Sequence, residues 1–122
     1  INQNYGQLMQ KLFRHVLSTG IDREKICKNV YYNNALAATG FFNPVWSEVK
    51  SVQNIQINAN KEITIENLER IGYNKLDGDG KRVNSSGNAI NLTLLVNSEN
   101  RMRVVLAGMI ASQLSEYGIK TL

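Results

Sequence analysis

The stretch "INLTLLVNSENRMRVVLAGMIASQLSEYGIKTL", residues 90–122, decides the fold. Residues 90–96 are apolar, β-branched at intervals and bounded by polar turns, which predicts a strand. Ser98 is placed to cap a helix over about 99–117. Met102, Val105, Leu106, Met109, Ile110, Leu114 and Tyr117 recur there at three- and four-residue steps, the period of one helix face. Gly118 then ends the helix, and "IKTL" opens another strand. Strand, helix and strand joined by short links make a βαβ unit, so the two strands should be parallel neighbours. The expected class is α/β, with α+β as the alternative.

The same period predicts a helix over residues 4–18, with Gly20 as its stop, since glycine accepts the left-handed conformation after a helix. Asp22 is placed as N-cap of a second helix from Arg23 to about Tyr32, its carboxylate accepting N–H groups the first turn leaves free. Residues 33–62 carry Gly40 and the only proline, Pro44, and read mostly as loop, with a weakly alternating strand at 52–60. A short helix over about 65–71 should follow, capped by Thr64 and stopped by Gly72. No internal repeat or low-complexity segment appears.

Between that helix and the strand at 90 lies "GYNKLDGDGKR", residues 72–82, with two aspartates and two glycines in Asp77 to Gly80. An EF-hand loop needs oxygen ligands at positions 1, 3, 5 and 12, with glycine at 6. Placing Gly80 at position 6 puts Lys75 at position 1 and Ser86 at position 12, so the motif fails at both ends. No GxxxxGK[ST] or GxGxxG opens a helix, and two aspartates would repel a phosphate. The stretch therefore reads as a turn: Asp bonds its own backbone and Gly supplies positive φ.

The 122 residues suit one domain with one core. Hydrophobic residues at 43% and charged residues at 20% exclude a disordered or fibrous chain. Fourteen Lys+Arg against ten Asp+Glu give +4, which permits an anionic partner, but the basic residues are scattered with no run of three. One cysteine, Cys27, and one histidine, His15, exclude an internal disulfide and a His/Cys metal cluster. Cys27 reads as a small buried side chain. No apolar run approaches the roughly 20 residues of a membrane helix, and no signal peptide is present. The start at Ile1 and the stop at "GIKTL" both read as cut ends of a longer parent.

The helix ending in Gly72-Tyr73, the Asp77-Gly78-Asp79-Gly80 turn with Arg82, the second Gly87 and the strand carrying Ile90, Leu92 and Leu94 resemble bacterial extracellular solute-binding proteins of family 5. These are the peptide- and nickel-binding receptors of ABC importers. The continuation through "QLSEYGI" fits. Upstream, Arg14, Ile21, Asp22, Arg23 and Ile26 fall in register with that family's "RxAxxxxIDRExI" helix pair. Gly20 and Ile71 depart from it, and 45–62 finds no counterpart. The resemblance implies a periplasmic-binding-protein-like lobe, here the central part of one lobe of a two-lobed receptor that traps its solute in a cleft. It implies no catalysis, no cofactor and no metal. It also implies an extracytoplasmic location, an ABC permease as partner, and a membrane link only through a lipid anchor outside these residues.

In parallel α/β layers ligands meet the carboxyl ends of strands. That place is the loop Asn97, Ser98, Glu99, Asn100 and Arg101, which offers amides, a hydroxyl, a guanidinium and a helix N-terminus. Asn97, Ser98, Asn100 and Arg101 are the first candidate ligand-binding residues; Ser98 as a mere cap and Arg101 as a solvated charge is the alternative. Phe41, Phe42, Asn43 and Trp46 are the second candidate set, either covering the core or forming a ligand wall or interface. Arg14, Asp22 and Arg23 read as structural. The competing function is a small basic module binding nucleic acid or an acidic partner. An enzyme is the weakest reading, because the sole His and Cys lack companions.

Overall fold

The computed structural model describes residues 1, 4, 6–38, 40, 42–50 and 58–122. Among these residues five α-helices and four two-residue strands run in the order α1 (Lys11–Gly20), α2 (Arg23–Val30), α3 (Ser47–Lys50), α4 (Lys61–Arg70), β1 (Lys75–Leu76), β2 (Arg82–Val83), β3 (Asn91–Leu92), α5 (Arg101–Ser115) and β4 (Lys120–Thr121). A 3-10 turn, Gly6–Met9, precedes α1. The fold is α/β. β3 and β4 pair in parallel, Asn91 opposite Lys120 and Leu92 opposite Thr121, with α5 as their crossover. The predicted βαβ unit is therefore present.

The core is built from the apolar face expected on α1 and from the end of the face expected on α5, whose Met102 and Val105 are instead exposed. Phe13, Val16 and Leu17 of α1 meet Leu68 of α4, Tyr73, Ile90, Leu114 of α5 and Ile119. Phe13, Leu68, Ile90 and Ile119 are sealed from solvent. Two helices hand the chain to a following segment in the same way. At the end of α4, Gly72 takes φ +91°, and the N–H groups of Gly72 and Tyr73 return to the carbonyls of Glu69 and Leu68. At the end of α5, Gly118 takes φ +74°, and those of Gly118 and Ile119 return to Ser115 and Leu114. These are Schellman closures, each with its two apolar residues, Leu68 with Tyr73 and Leu114 with Ile119, in the core.

Several boundaries differ from the sequence expectation. The helix expected over 4–18 is a 3-10 turn and then α1, and the Arg14 guanidinium spans the break, donating to the Leu8 and Met9 carbonyls at 2.9 Å each. Gly20 does not stop α1 in a left-handed conformation; it is the last helical residue, without positive φ. Its role is closeness: a Cβ there would sit 3.3 Å from both Thr64 Cγ2 and Tyr117 Cε2. α2 ends at Val30, and Tyr32 and Asn33 follow with φ of 51° and 63°. α4 starts four residues earlier than expected because Asn60, not Thr64, caps it, accepting from Ile63 N at 2.9 Å. Thr64 is buried inside the helix, and its hydroxyl donates to Thr19 Oγ1 at 2.8 Å.

The Asp-Gly turn closes a hairpin between β1 and β2, with Lys75 opposite Val83 and Leu76 opposite Arg82. An isolated antiparallel bridge, Val83 to Ala89, ties this hairpin to the segment that leads into β3. The strand expected over 90–96 pairs only in part. Leu122 N bonds Leu92 O and Leu94 N bonds Leu122 O, and beyond that ladder Leu95 is 90% exposed. α5 begins at Arg101 because Asn100 outcompetes Ser98 as cap, accepting from Arg103 N at 3.1 Å. α3 falls inside the expected loop. Of the strand expected at 52–60, residues 51–57 lie outside the described set, and 58–60 form none.

Candidate functional site

The loop between β3 and α5 is shaped by its own asparagines. Asn97 Oδ1 accepts from Glu99 N at 2.9 Å, the Asn100 N–H returns to Asn97 O at 3.2 Å, and Asn100 Oδ1 caps α5. All of Asn97 to Arg101 is exposed. The side-chain oxygens of Asn97 and Asn100 are thus engaged by local backbone. The Ser98 hydroxyl and Arg101 guanidinium, standing at the start of a 15-residue helix, remain turned to solvent. A helix N-terminus with an arginine on its first residue suits a carboxylate or other anionic group.

The second candidate set stands apart. Phe42 is 68% and Trp46 57% exposed, with exposed Val45 between them, so these side chains do not cover the core. Asn43 folds the segment locally, its Oδ1 accepting from Val45 N at 3.0 Å and its carbonyl from Trp46 N at 3.2 Å. Phe41 lies outside the described residues. α3, into which Trp46 leads, packs against no other described element, α5 included.

The aspartates of the hairpin turn are spent on the turn. Asp77 Oδ1 accepts from the N–H of Asp79 at 3.0 Å and of Lys81 at 2.8 Å. Asp79 Oδ2 pairs with Lys81 Nζ at 2.7 Å. That hydrogen bond, and then the opposite charge of the partner, hold the Asp79 carboxyl below its usual range and lift the Lys81 ammonium above its own. Among the described residues no group of three His, Cys, Asp or Glu side chains is placed to hold a metal. Cys27 and His15 lie on α2 and α1, which share no contact. Burial, then Glu24, pushes the Cys27 thiol up, away from the thiolate a nucleophile needs.

Sequence reasoning missed two features. Gln113 is buried, and its amide clasps the start of α2: Oε1 accepts from Asp22 N at 2.9 Å and Nε2 donates to Asp22 O at 3.3 Å. Asp22 meanwhile caps α2 through Lys25 N at 2.9 Å, as expected. Beside this clasp is a cavity of about 270 Å³ lined by Asp22, Lys25, Lys61, Glu116 and Tyr117 among others. Its two carboxylates and two ammonium groups balance. It lies at the end of α5, roughly 22 Å along the helix from the 97–101 loop. Arg82 is the second feature: 8% exposed, it donates from Nη1 to Tyr73 O at 2.9 Å and from Nε to Tyr117 O at 3.2 Å. A lone polar residue inside an apolar pattern, such as Gln113 on α5, was the available signal for the first. A strand arginine beside glycine turns was the signal for the second.

The chain belongs to the bacterial extracellular solute-binding proteins, family 5; the model of that family's middle part matches residues 1–121. The family is one of binding proteins rather than enzymes. Its fold is shared with NikZ from Campylobacter jejuni, solved in complex with Ni(L-His), at 22% identity and a TM-score of 0.81. It is shared equally with the oligopeptide-binding protein AppA from Bacillus subtilis, solved with a nonapeptide, at 21% identity and a TM-score of 0.81. A periplasmic oligopeptide-binding protein from Thermotoga maritima with bound mannohexaose matches at 22% identity and a TM-score of 0.78. Each match covers 99% of this chain and 24% of the solved one, so this chain spans about a quarter of their length. No curated protein matches the chain. No described helix is long and apolar enough to cross a membrane.

Proposed function

We propose that these residues are the central part of one lobe of a two-lobed receptor that binds a peptide, or a related small solute, in an interlobe cleft and delivers it to an ABC permease. The observation that carries this reading is the family match over residues 1–121. The complexes of AppA with a nonapeptide and of NikZ with Ni(L-His) support peptides and small chelates as the ligand class. The receptor works outside the cytoplasm and is held at the membrane by a lipid anchor beyond these residues. Ser98 and Arg101, with Asn97 and Asn100 shaping their loop, reach the ligand's carboxylate or backbone. Phe41, Phe42, Asn43 and Trp46 contribute an apolar wall.

The test is a calorimetric titration of the full-length gene product with a pool of di- to hexapeptides, alongside Arg101→Ala and Trp46→Ala. The expected result is saturable binding, weakened about tenfold, or about 1.4 kcal/mol, by at least one change. Saturable binding indifferent to both would remove these residues from the cleft. Absence of peptide binding, with salt-dependent binding to DNA or RNA in its place, would overturn the receptor reading in favour of the basic module.

A further inference from the structure

We draw no further inference here: the strongest candidate, the exposed apolar patch of Met102, Val104 and Val105 in the first half of α5 together with Leu95 and Val96 of the preceding loop, carries nothing because nothing in the structure shows what covers it.

Discussion

Gly118 and Gly72 hold the same kind of position but meet different surroundings. Both are left-handed after a helix. A Cβ on Gly72 meets nothing within 4 Å, whereas on Gly118 it would lie 2.7 Å from Arg82 N and 2.9 Å from Gly80 O, both backbone. Gly72→Ala should therefore cost only the left-handed penalty of about 1–2 kcal/mol. Gly118→Ala adds a clash with backbone that cannot rotate away, and should cost about 3–5 kcal/mol in total. Urea unfolding midpoints measure the difference, and equal costs would refute the tight junction at Gly118. Arg82 belongs to the same junction. Arg82→Met leaves two carbonyls without donors and should destabilise by about 2–4 kcal/mol, with the denaturant slope unchanged. Gly20→Val forces a branched side chain against buried Thr64 and should cost about 1–3 kcal/mol by the same assay.

Elements were legible in proportion to their length. The ten residues of α1 repeat an apolar face clearly enough to be found by period alone, whereas in the fifteen of α5 Met102 and Val105 of the expected face are exposed and only the last turns reach the core. The two-residue strands β1 and β2 have no period to read, so the hairpin was visible only as its turn. Helix starts failed for a different reason. Thr64 and Ser98 are sound caps, but an asparagine stands near each, and the winner depends on which side chain the packed helix leaves outside the core. Thr64 is drawn inward to Thr19. Asn100→Ala should cost about 1 kcal/mol and fray α5, while Ser98→Ala should stay within about 0.5 kcal/mol. Far-UV circular dichroism during thermal unfolding reads both, and the reverse order would restore Ser98 as the cap. The candidate loop was located by the βαβ rule, yet which of its groups face outward followed only from the hydrogen bonds of Asn97 and Asn100.

At the scale of the whole molecule, the residues that follow α4 and α5 meet at Arg82, whose side chain donates to the Tyr73 and Tyr117 carbonyls and whose amide donates to Gly118. The amides of Tyr73, Arg82, Ile119 and Lys120 donate to backbone carbonyls at this convergence. Those of Val49 and Lys50 in α3 close a single turn against which no other described element packs. Native-state hydrogen exchange should find the first group among the slowest and the second among the fastest. Protection of α3 equal to that of the core would show that the 42–50 segment is packed in solution. The +4 charge, which permits an anionic partner, belongs to basic residues scattered along the chain, and the family is shown by the match over residues 1–121.

The clasp between Gln113 and Asp22 joins residues 91 apart in sequence. At a synthesis rate of roughly 5–20 residues per second, about 5–18 s separate the appearance of one from the other. Throughout that interval α2 emerges from the ribosome without α5, the helix it packs against, whereas α1 meets its main partner, α4, much earlier. Of the long helices, α2 therefore waits longest for its partner. Protease sensitivity of α2 in stalled nascent chains should fall only after Gln113 has left the exit tunnel.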